Sequence, residues 1–152
     1  MGVSLAENIG LFIMREINRV IIHCSDTYTS QDIGVSEIKE WHEARGFSDI
    51  GYHYVIRRDG SVEGGRSLAV PGAHTLHYNL DSIGVCLVGG KPMFNFTRKQ
   101  MESLVELVWM LVIQYNLKIS DVHGHNEYSK KTCPNFNVRE FFREAGEHGE
   151  DR

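Results

Sequence analysis

The sequence predicts a single α/β domain in which helices flank a central mixed β-sheet. Two short apolar runs, at residues 19–24 and 82–88, have the composition of buried strands. Other segments carry apolar residues at helical spacing, which is typical of helices that pack on one face. No internal repeat and no linker divides the 152 residues, and this length is enough for one domain with a proper core.

The predicted strands follow one another with clear boundaries. The run at 19–24 is rich in Val and Ile, and His23 lies at its C-terminal end, where open α/β sheets place ligands. Residues 51–63 contain an alternating run, an Asp-Gly turn and a second short strand, which is a strong hairpin signal. The run at 82–88 is closed by two glycines, and a last short strand ends at Val122.

Three helices are predicted within the domain. Residues 35–45 form the first, because apolar residues share one face and a glycine follows. The longest begins after Thr97, which forms a capping box with Gln100, and its apolar stripe extends to Tyr115. That stripe indicates core packing. A last short helix is predicted at 137–144.

The two ends of the chain differ from this domain. Residues 1–17 are predicted to be an N-terminal extension, residues 18–145 the domain, and residues 146–152 a charged tail. In the extension, apolar residues recur at roughly helical spacing: Leu5, Ile9, Phe12, Ile13 and Ile17. A short helix that packs on the domain and a frayed arm fit this pattern best, and a helix that binds a membrane or a protein partner is the alternative.

Composition excludes several classes of protein. The chain has 41% hydrophobic and 24% charged residues, which is typical of a globular domain. A net charge of −4 argues against a nucleic-acid binder. No apolar run approaches the ~20 residues of a membrane span, and no signal peptide is recognisable at the N-terminus. Three cysteines cannot form a complete disulfide framework, so free thiols and synthesis in a reducing cytosol are expected. A monomer is the default expectation.

Residues 122–134, with the sequence VHGHNEYSKKTCP, contain the strongest chemical signal. Imidazole nitrogen and thiolate sulfur are ligands that zinc prefers. A catalytic zinc site needs three protein ligands and an open position for water, so one ligand has to come from elsewhere, and His23 is the best candidate. The residues alone leave two simpler interpretations open: a buried Cys before a turn, and a hydrogen-bonded His at a strand end.

Taken together, the motifs resemble one family. They appear in a specific order, at residues 20–25, 41–42, 51–60, 72–74, 78–79, 82–85, 124–125 and 131–134. In this order they resemble the zinc-dependent N-acetylmuramoyl-L-alanine amidases of the phage endolysin type, whose animal relatives are the peptidoglycan recognition proteins. The resemblance covers about residues 19–142, and the extension before Arg19 is its main departure.

The resemblance implies a set of site residues. One zinc ion per chain would be held by His23, His125 and Cys133, with His123 left out because the family tolerates other residues there. Tyr52 and Lys131 would have catalytic roles. The substrate-binding residues would line the groove for glycan and stem peptide: His74, Thr75 and Asn79. Family members that only bind the wall typically lack the cysteine ligand, so Cys133 favours catalysis.

The resemblance also implies a function and a place of action. The enzyme would cut the amide between N-acetylmuramic acid and L-alanine in bacterial peptidoglycan, as an endolysin of a phage or prophage. It would be made in the host cytoplasm and reach the wall after another protein has permeabilised the membrane. Two alternatives stay open from the residues: a non-catalytic module that recognises stem peptides, and a regulatory protein that uses the N-terminal arm.

Overall fold

A five-stranded mixed sheet forms the centre of the protein in the computed structural model, which describes residues 15–150. The strands are β1 (Arg19–Cys24), β2 (Tyr54–Ile56), β3 (Val62–Gly64), β4 (Ser82–Leu87) and β5 (Val122–Gly124). Their spatial order is β3-β2-β4-β1-β5, with β3 antiparallel to β2 and the other neighbours parallel. The predicted α/β class and mixed sheet are confirmed.

Three α-helices flank this sheet: α1 (Val35–Ala44), α2 (Arg98–Gln114) and α3 (Val138–Glu150). The predicted capping box begins α2, because Thr97 Oγ1 accepts from the Gln100 amide at 3.1 Å and Gln100 Oε1 accepts from the Thr97 amide at 3.0 Å. None of the described helices is both long and apolar enough to span a bilayer. α3 continues beyond the predicted end at residue 144, since Gly146 does not interrupt it.

The sheet separates two different layers. Side chains alternate along β1, so Val20 and Ile22 enter the core under α2 and α3, whereas Ile21 and His23 face the opposite side. The core under α2 and α3 is the larger one and is built from aliphatic and aromatic side chains. A smaller apolar cluster lies on the opposite face, where Ile38 of α1 contributes. His23 thus projects from the sheet on the side of the smaller cluster.

The domain begins earlier than the predicted boundary at residue 18. Ile17 is only 8% exposed and packs in the large core. The Arg15 guanidinium donates to the carbonyl oxygens of Leu68 at 3.0 Å and Ser82 at 2.9 Å, and so joins the start of β4 to the preceding loop. Arg15 and Ile17 are therefore part of the domain. The expectations for the rest of the extension and for residues 151–152 fall outside the described residues.

Candidate active site

Parallel strand pairing brings the three predicted metal ligands to one edge of the sheet. β1 pairs with β5 so that Ile22 lies opposite Gly124, and the residues that follow each of these are His23 and His125. The loop after β5 then returns Cys133 to the same place. One ligand atom from each of His23, His125 and Cys133 lies within 4.8 Å of the other two. This separation suits three ligands around a single metal ion.

A hydrogen-bonded partner holds the His23 ring through its Nε2. Its side chain is 1% exposed, and its Nε2 lies 2.8 Å from His74 Nδ1 and 3.2 Å from Thr75 Oγ1. Since Nε2 is engaged, Nδ1 is the nitrogen left for a metal. Burial, and then the nearby His74, His125 and Lys131, lowers the pKa of His23 well below its usual value. The ring is therefore neutral at pH 7, as a metal ligand must be.

Cys133 is placed by the end of β1. The backbone amide of Cys24 donates to Cys133 Sγ at 3.2 Å, across 109 residues of sequence. The neighbouring Cys24 thiol, together with burial, raises the pKa of Cys133. A thiolate at Cys133 consequently needs a cation beside it. Two imidazoles and one such sulfur, with no carboxylate among them, form a donor set that fits zinc and does not fit magnesium or calcium.

Tyr52 and Lys131 lie in the same cleft as the three ligands. The Tyr52 ring centroid is 5.1 Å from that of His23. Burial, and then the thiols of Cys86, Cys133 and Cys24, raises the pKa of Tyr52 well above its usual value, so the phenol keeps its proton. Lys131 is exposed at the edge of the cleft. Burial of His125 lowers the pKa of that ring, and the positive charge of Lys131 is the second cause.

The cleft is wide enough for a polymer segment. Its volume is about 1060 Å³, and the ligand cluster lies in its wall. Arg45 stacks over the Phe47 ring at 5.2 Å on one side, and Lys130 and Lys131 lie on the loop that carries Cys133. Positive side chains on this rim favour an anionic ligand.

The three predicted substrate-binding residues also line the cleft, but their polar atoms bond to the protein. Asn79 Oδ1 accepts from the backbone amides of His74 at 2.8 Å and Thr75 at 2.9 Å. Thr75 is 2% exposed. The side chain of His74 contacts His23 as described above. These contacts support the wall of the cleft and the His23 ring.

Other histidines have structural partners. His42 Nδ1 accepts from the Gly51 amide at 2.9 Å, and His53 Nδ1 accepts from the Gly84 amide at 3.0 Å. His53 Nε2 then donates to the Val70 carbonyl at 2.9 Å. His123 lies 2.8 Å from a carboxylate oxygen of Glu127 and outside the three-ligand cluster.

Arg66 and Arg58 also have structural partners. Arg66 donates to the backbone carbonyls of Ile50 at 2.8 Å and Pro71 at 3.0 Å. Arg58 donates to the carbonyl of Asn95 at 2.9 Å. Their guanidinium groups therefore hold loops together.

Comparisons with known proteins agree with this site. The sequence matches the N-acetylmuramoyl-L-alanine amidase family over residues 14–136, and the chain belongs to that family. It is 44% identical over 128 residues to the endolysin of Escherichia phage T7, which covers 81% of this chain and 83% of that protein. The family, the fold and the class of enzyme predicted from the sequence are thereby confirmed.

Solved structures with this fold include enzymes and recognition proteins. The N-acetylmuramoyl-L-alanine amidase LysC from Clostridium intestinale superposes with a TM-score of 0.73 at 30% identity, over 81% of this chain and 79% of that one. Bumblebee PGRP-SA superposes with a TM-score of 0.71 at 25% identity, over 84% and 80% of the two chains. The predicted relation to recognition proteins is confirmed.

Proposed function

We propose that this protein is a zinc-dependent endolysin that hydrolyses the amide between the lactyl group of N-acetylmuramic acid and L-alanine. The observation that carries the proposal is the cluster of His23, His125 and Cys133 in the cleft of a chain from the amidase family. Its partner is peptidoglycan, with both glycan and stem peptide in contact with the cleft. One zinc ion per chain completes the site.

His23, His125 and Cys133 would hold the zinc ion through two imidazole nitrogens and one sulfur. A zinc ion held there would lower the pKa of a bound water towards ~7 and polarise the scissile carbonyl. His23 and His125 contribute neutral rings, because their pKa values are lowered. The Cys24 amide that donates to Cys133 Sγ holds the third ligand in place.

Tyr52 orients the reacting groups in this proposal. Its raised pKa keeps the phenol protonated at neutral pH, so it donates a hydrogen bond and does not act as a base in its resting form. The ring lies beside His23 and borders the cleft. A donor fixed in this way can aim at a water or a carbonyl oxygen next to the ligands.

Lys131 supplies positive charge where the oxyanion develops. It is two residues from Cys133 and lines the same cleft. Electrostatic stabilisation of this kind is often the largest single contribution to catalysis. Arg45 and Lys130 extend the positive rim, which suits the carboxylates of a stem peptide. His74, Thr75 and Asn79 also line the cleft that glycan and peptide would occupy.

In the cell, the proposed enzyme acts as a monomer on the wall of the phage host. It is made in the host cytoplasm, and another protein permeabilises the membrane before it reaches the wall. A protein partner that binds the N-terminal arm is compatible with this role, because catalysis requires only the cleft.

Digestion of purified peptidoglycan tests the proposal. We expect the protein to release soluble stem peptides that begin with L-alanine, as identified by mass spectrometry. A zinc chelator should abolish the release, and added zinc should restore it. Intact muropeptides that bind the protein without being cut would overturn the amidase proposal in favour of a recognition module. Release that persists after chelation would overturn the role of the metal.

A further inference from the structure

We infer that His74 is a positioning residue that sets the orientation of the zinc ligand His23. This inference rests on the proposed zinc site, and it assigns His74 a task beyond the wall of the substrate groove. The task is to accept a hydrogen bond from His23 Nε2, so that Nδ1 faces the metal. His74 performs this task through His23, in addition to lining the cleft.

The tautomer of His74 sets the direction of that hydrogen bond, and we assign the tautomer in which Nε2 carries the proton. His23 Nε2 and His74 Nδ1 are 2.8 Å apart, and the ring planes meet at 86°. His74 Nε2 is 3.2 Å from Ser82 Oγ, a residue that is fully buried. A neutral His74 that donates from Nε2 to Ser82 has a free acceptor at Nδ1. His23 Nε2 is then the donor, and this fixes the tautomer of His23 in which Nδ1 is free to bind a metal.

The sheet provides a place for the His74 ring. A β-carbon added to Gly84 in β4 would lie 2.5 Å from His74 Cδ2 and 2.7 Å from its Cγ. A β-carbon on Gly72 would lie 2.6 Å from the same Cδ2. Real β-carbons do not approach other atoms so closely, so the ring rests in a space that only these glycines leave open.

The backbone on either side of the ring is also fixed. Asn79 Oδ1 accepts from the amides of both His74 and Thr75. Thr75 Oγ1 lies 2.9 Å from His74 Nδ1 and 3.2 Å from His23 Nε2, which places a hydroxyl at the junction of the two rings. The orientation of His23 is therefore set by a chain of contacts that reaches from Ser82 to the metal side of the ring.

Metal affinity measures this role directly, because it does not depend on substrate or turnover. In His74→Ala we expect zinc to bind about 10- to 100-fold more weakly than in the parent protein, as for other residues that orient a ligand. His74→Asn, which keeps an acceptor near the position of Nδ1, should recover most of that loss. Competition with a chelator gives the zinc affinity, and the visible spectrum of the Co²⁺-loaded protein reports the ligand geometry.

Substitutions at two separate glycines provide a test in which no histidine is replaced. Gly84→Ala should displace the His74 ring, lower zinc affinity by about 10-fold and alter the Co²⁺ spectrum. Gly64→Ala is the matched control in β3, because a β-carbon there meets nothing within 4 Å. It should bind zinc like the parent. Thermal unfolding of the metal-free variants shows whether each one folds. If His74→Ala does not fold, the zinc affinities of Gly84→Ala and His74→Asn test the positioning role.

Three outcomes would overturn the positioning role. They are unchanged zinc affinity and Co²⁺ spectrum in His74→Ala, equal losses in His74→Asn and His74→Ala, and unchanged zinc affinity in folded Gly84→Ala. Loss of peptidoglycan cleavage with normal metal binding would place His74 in substrate binding only. If the parent binds zinc and the variants behave as expected but peptidoglycan is not cut, the proposed function fails while the positioning role stands.

Discussion

The two faces of the sheet are built on different physical principles. On the face under α2 and α3, burial is almost entirely apolar, and residues such as Leu104 and Leu111 are fully buried. On the opposite face, His23, His53 and Thr75 are buried with polar atoms, and each of them has a hydrogen-bond partner. The first face gains stability from removing apolar surface from water. The second can hold polar groups away from water only because they are paired.

Because the two faces differ in this way, stability and activity should respond to different substitutions in the same small domain. β1 contributes to both faces, since Ile22 enters the apolar core and the next residue is His23. Substitutions on the α2 and α3 face should change the free energy of unfolding and leave the metal site intact. Substitutions on the cleft face should do the reverse.

Removal of the sulfur ligand should have the largest effect. In Cys133→Ser, we expect zinc binding to weaken strongly and peptidoglycan cleavage to fall by more than about 100-fold, because a hydroxyl is a poor zinc ligand. The unfolding temperature of the metal-free protein should change little. Chelator competition, product analysis and thermal unfolding measure the three quantities. Wild-type cleavage in this variant would rule out Cys133 as a required ligand.

A cavity in the apolar face should produce the opposite pattern. Leu111→Ala removes a fully buried side chain and should lower the free energy of unfolding by about 2–5 kcal/mol, with zinc affinity unchanged. Ile113→Ala, on the same helix but 77% exposed, is the matched control and should stay within about 0.5 kcal/mol. Denaturant unfolding of the metal-free proteins measures both. A large loss of zinc affinity in Leu111→Ala would show that the two faces are coupled.

Within the cleft, substitution of residues that do not hold the metal should lower kcat without lowering zinc affinity. Lys131→Ala should lower kcat by about 100- to 1000-fold while zinc affinity stays normal, since charge near the oxyanion is lost. Lys130→Ala is the neighbouring control, with a smaller loss expected. Tyr52→Phe should likewise retain zinc and lose turnover. Steady-state kinetics with a soluble muropeptide measures kcat, and chelator competition measures zinc affinity. An unchanged kcat would contradict these roles.

The hydrogen bonds of Arg15 belong to neither face alone, because they join the chain before β1 to the loop before β4. Arg15→Ala should destabilise the protein by about 1–3 kcal/mol, as the carbonyl oxygens of Leu68 and Ser82 lose a charged donor. Denaturant unfolding measures the change. Arg98→Ala, which removes only an exposed pair with Glu102, is the control and should have almost no effect. Equal stabilities for the two variants would argue against a stabilising role of the Arg15 hydrogen bonds.

The last effect vanishes at neutral pH, because it concerns only the pH dependence of stability. Burial, opposed by the hydrogen bond to the Val70 carbonyl and assisted by the charges of Arg15 and Arg66, lowers the pKa of His53 to about 4. His74 also faces this ring. Between about pH 4 and 6.5 the unfolded chain binds a proton that folded His53 does not, so stability falls as pH falls through this window. His53→Gln should reduce that slope, measured by unfolding of the metal-free protein at several pH values. An unchanged slope would mean that His53 does not titrate as described.

Local patterns predicted much of the fold and the chemical identity of the site. A short apolar run rich in Val and Ile marked β1, and helical spacing with the Thr97 capping box marked α2. The ligand types were visible in the loop around Cys133, although the choice of His125 over His123 needed the family resemblance. The start of the domain was placed too late, because no local pattern shows that Arg15 donates to carbonyls more than 50 residues away.

The succession of strands and helices along the chain and the residue types that can bind zinc were predictable, since periodicity and ligand chemistry are properties of neighbouring residues. The support of the site depends instead on contacts between distant segments. His23 and His74 are 51 residues apart in the chain, and Cys24 and Cys133 are 109 apart. Gly84 is an isolated glycine in a buried strand, and that pattern signals a close approach without identifying the approaching group. Such pairings arise because buried polar groups must find partners in space, wherever those partners lie in the sequence.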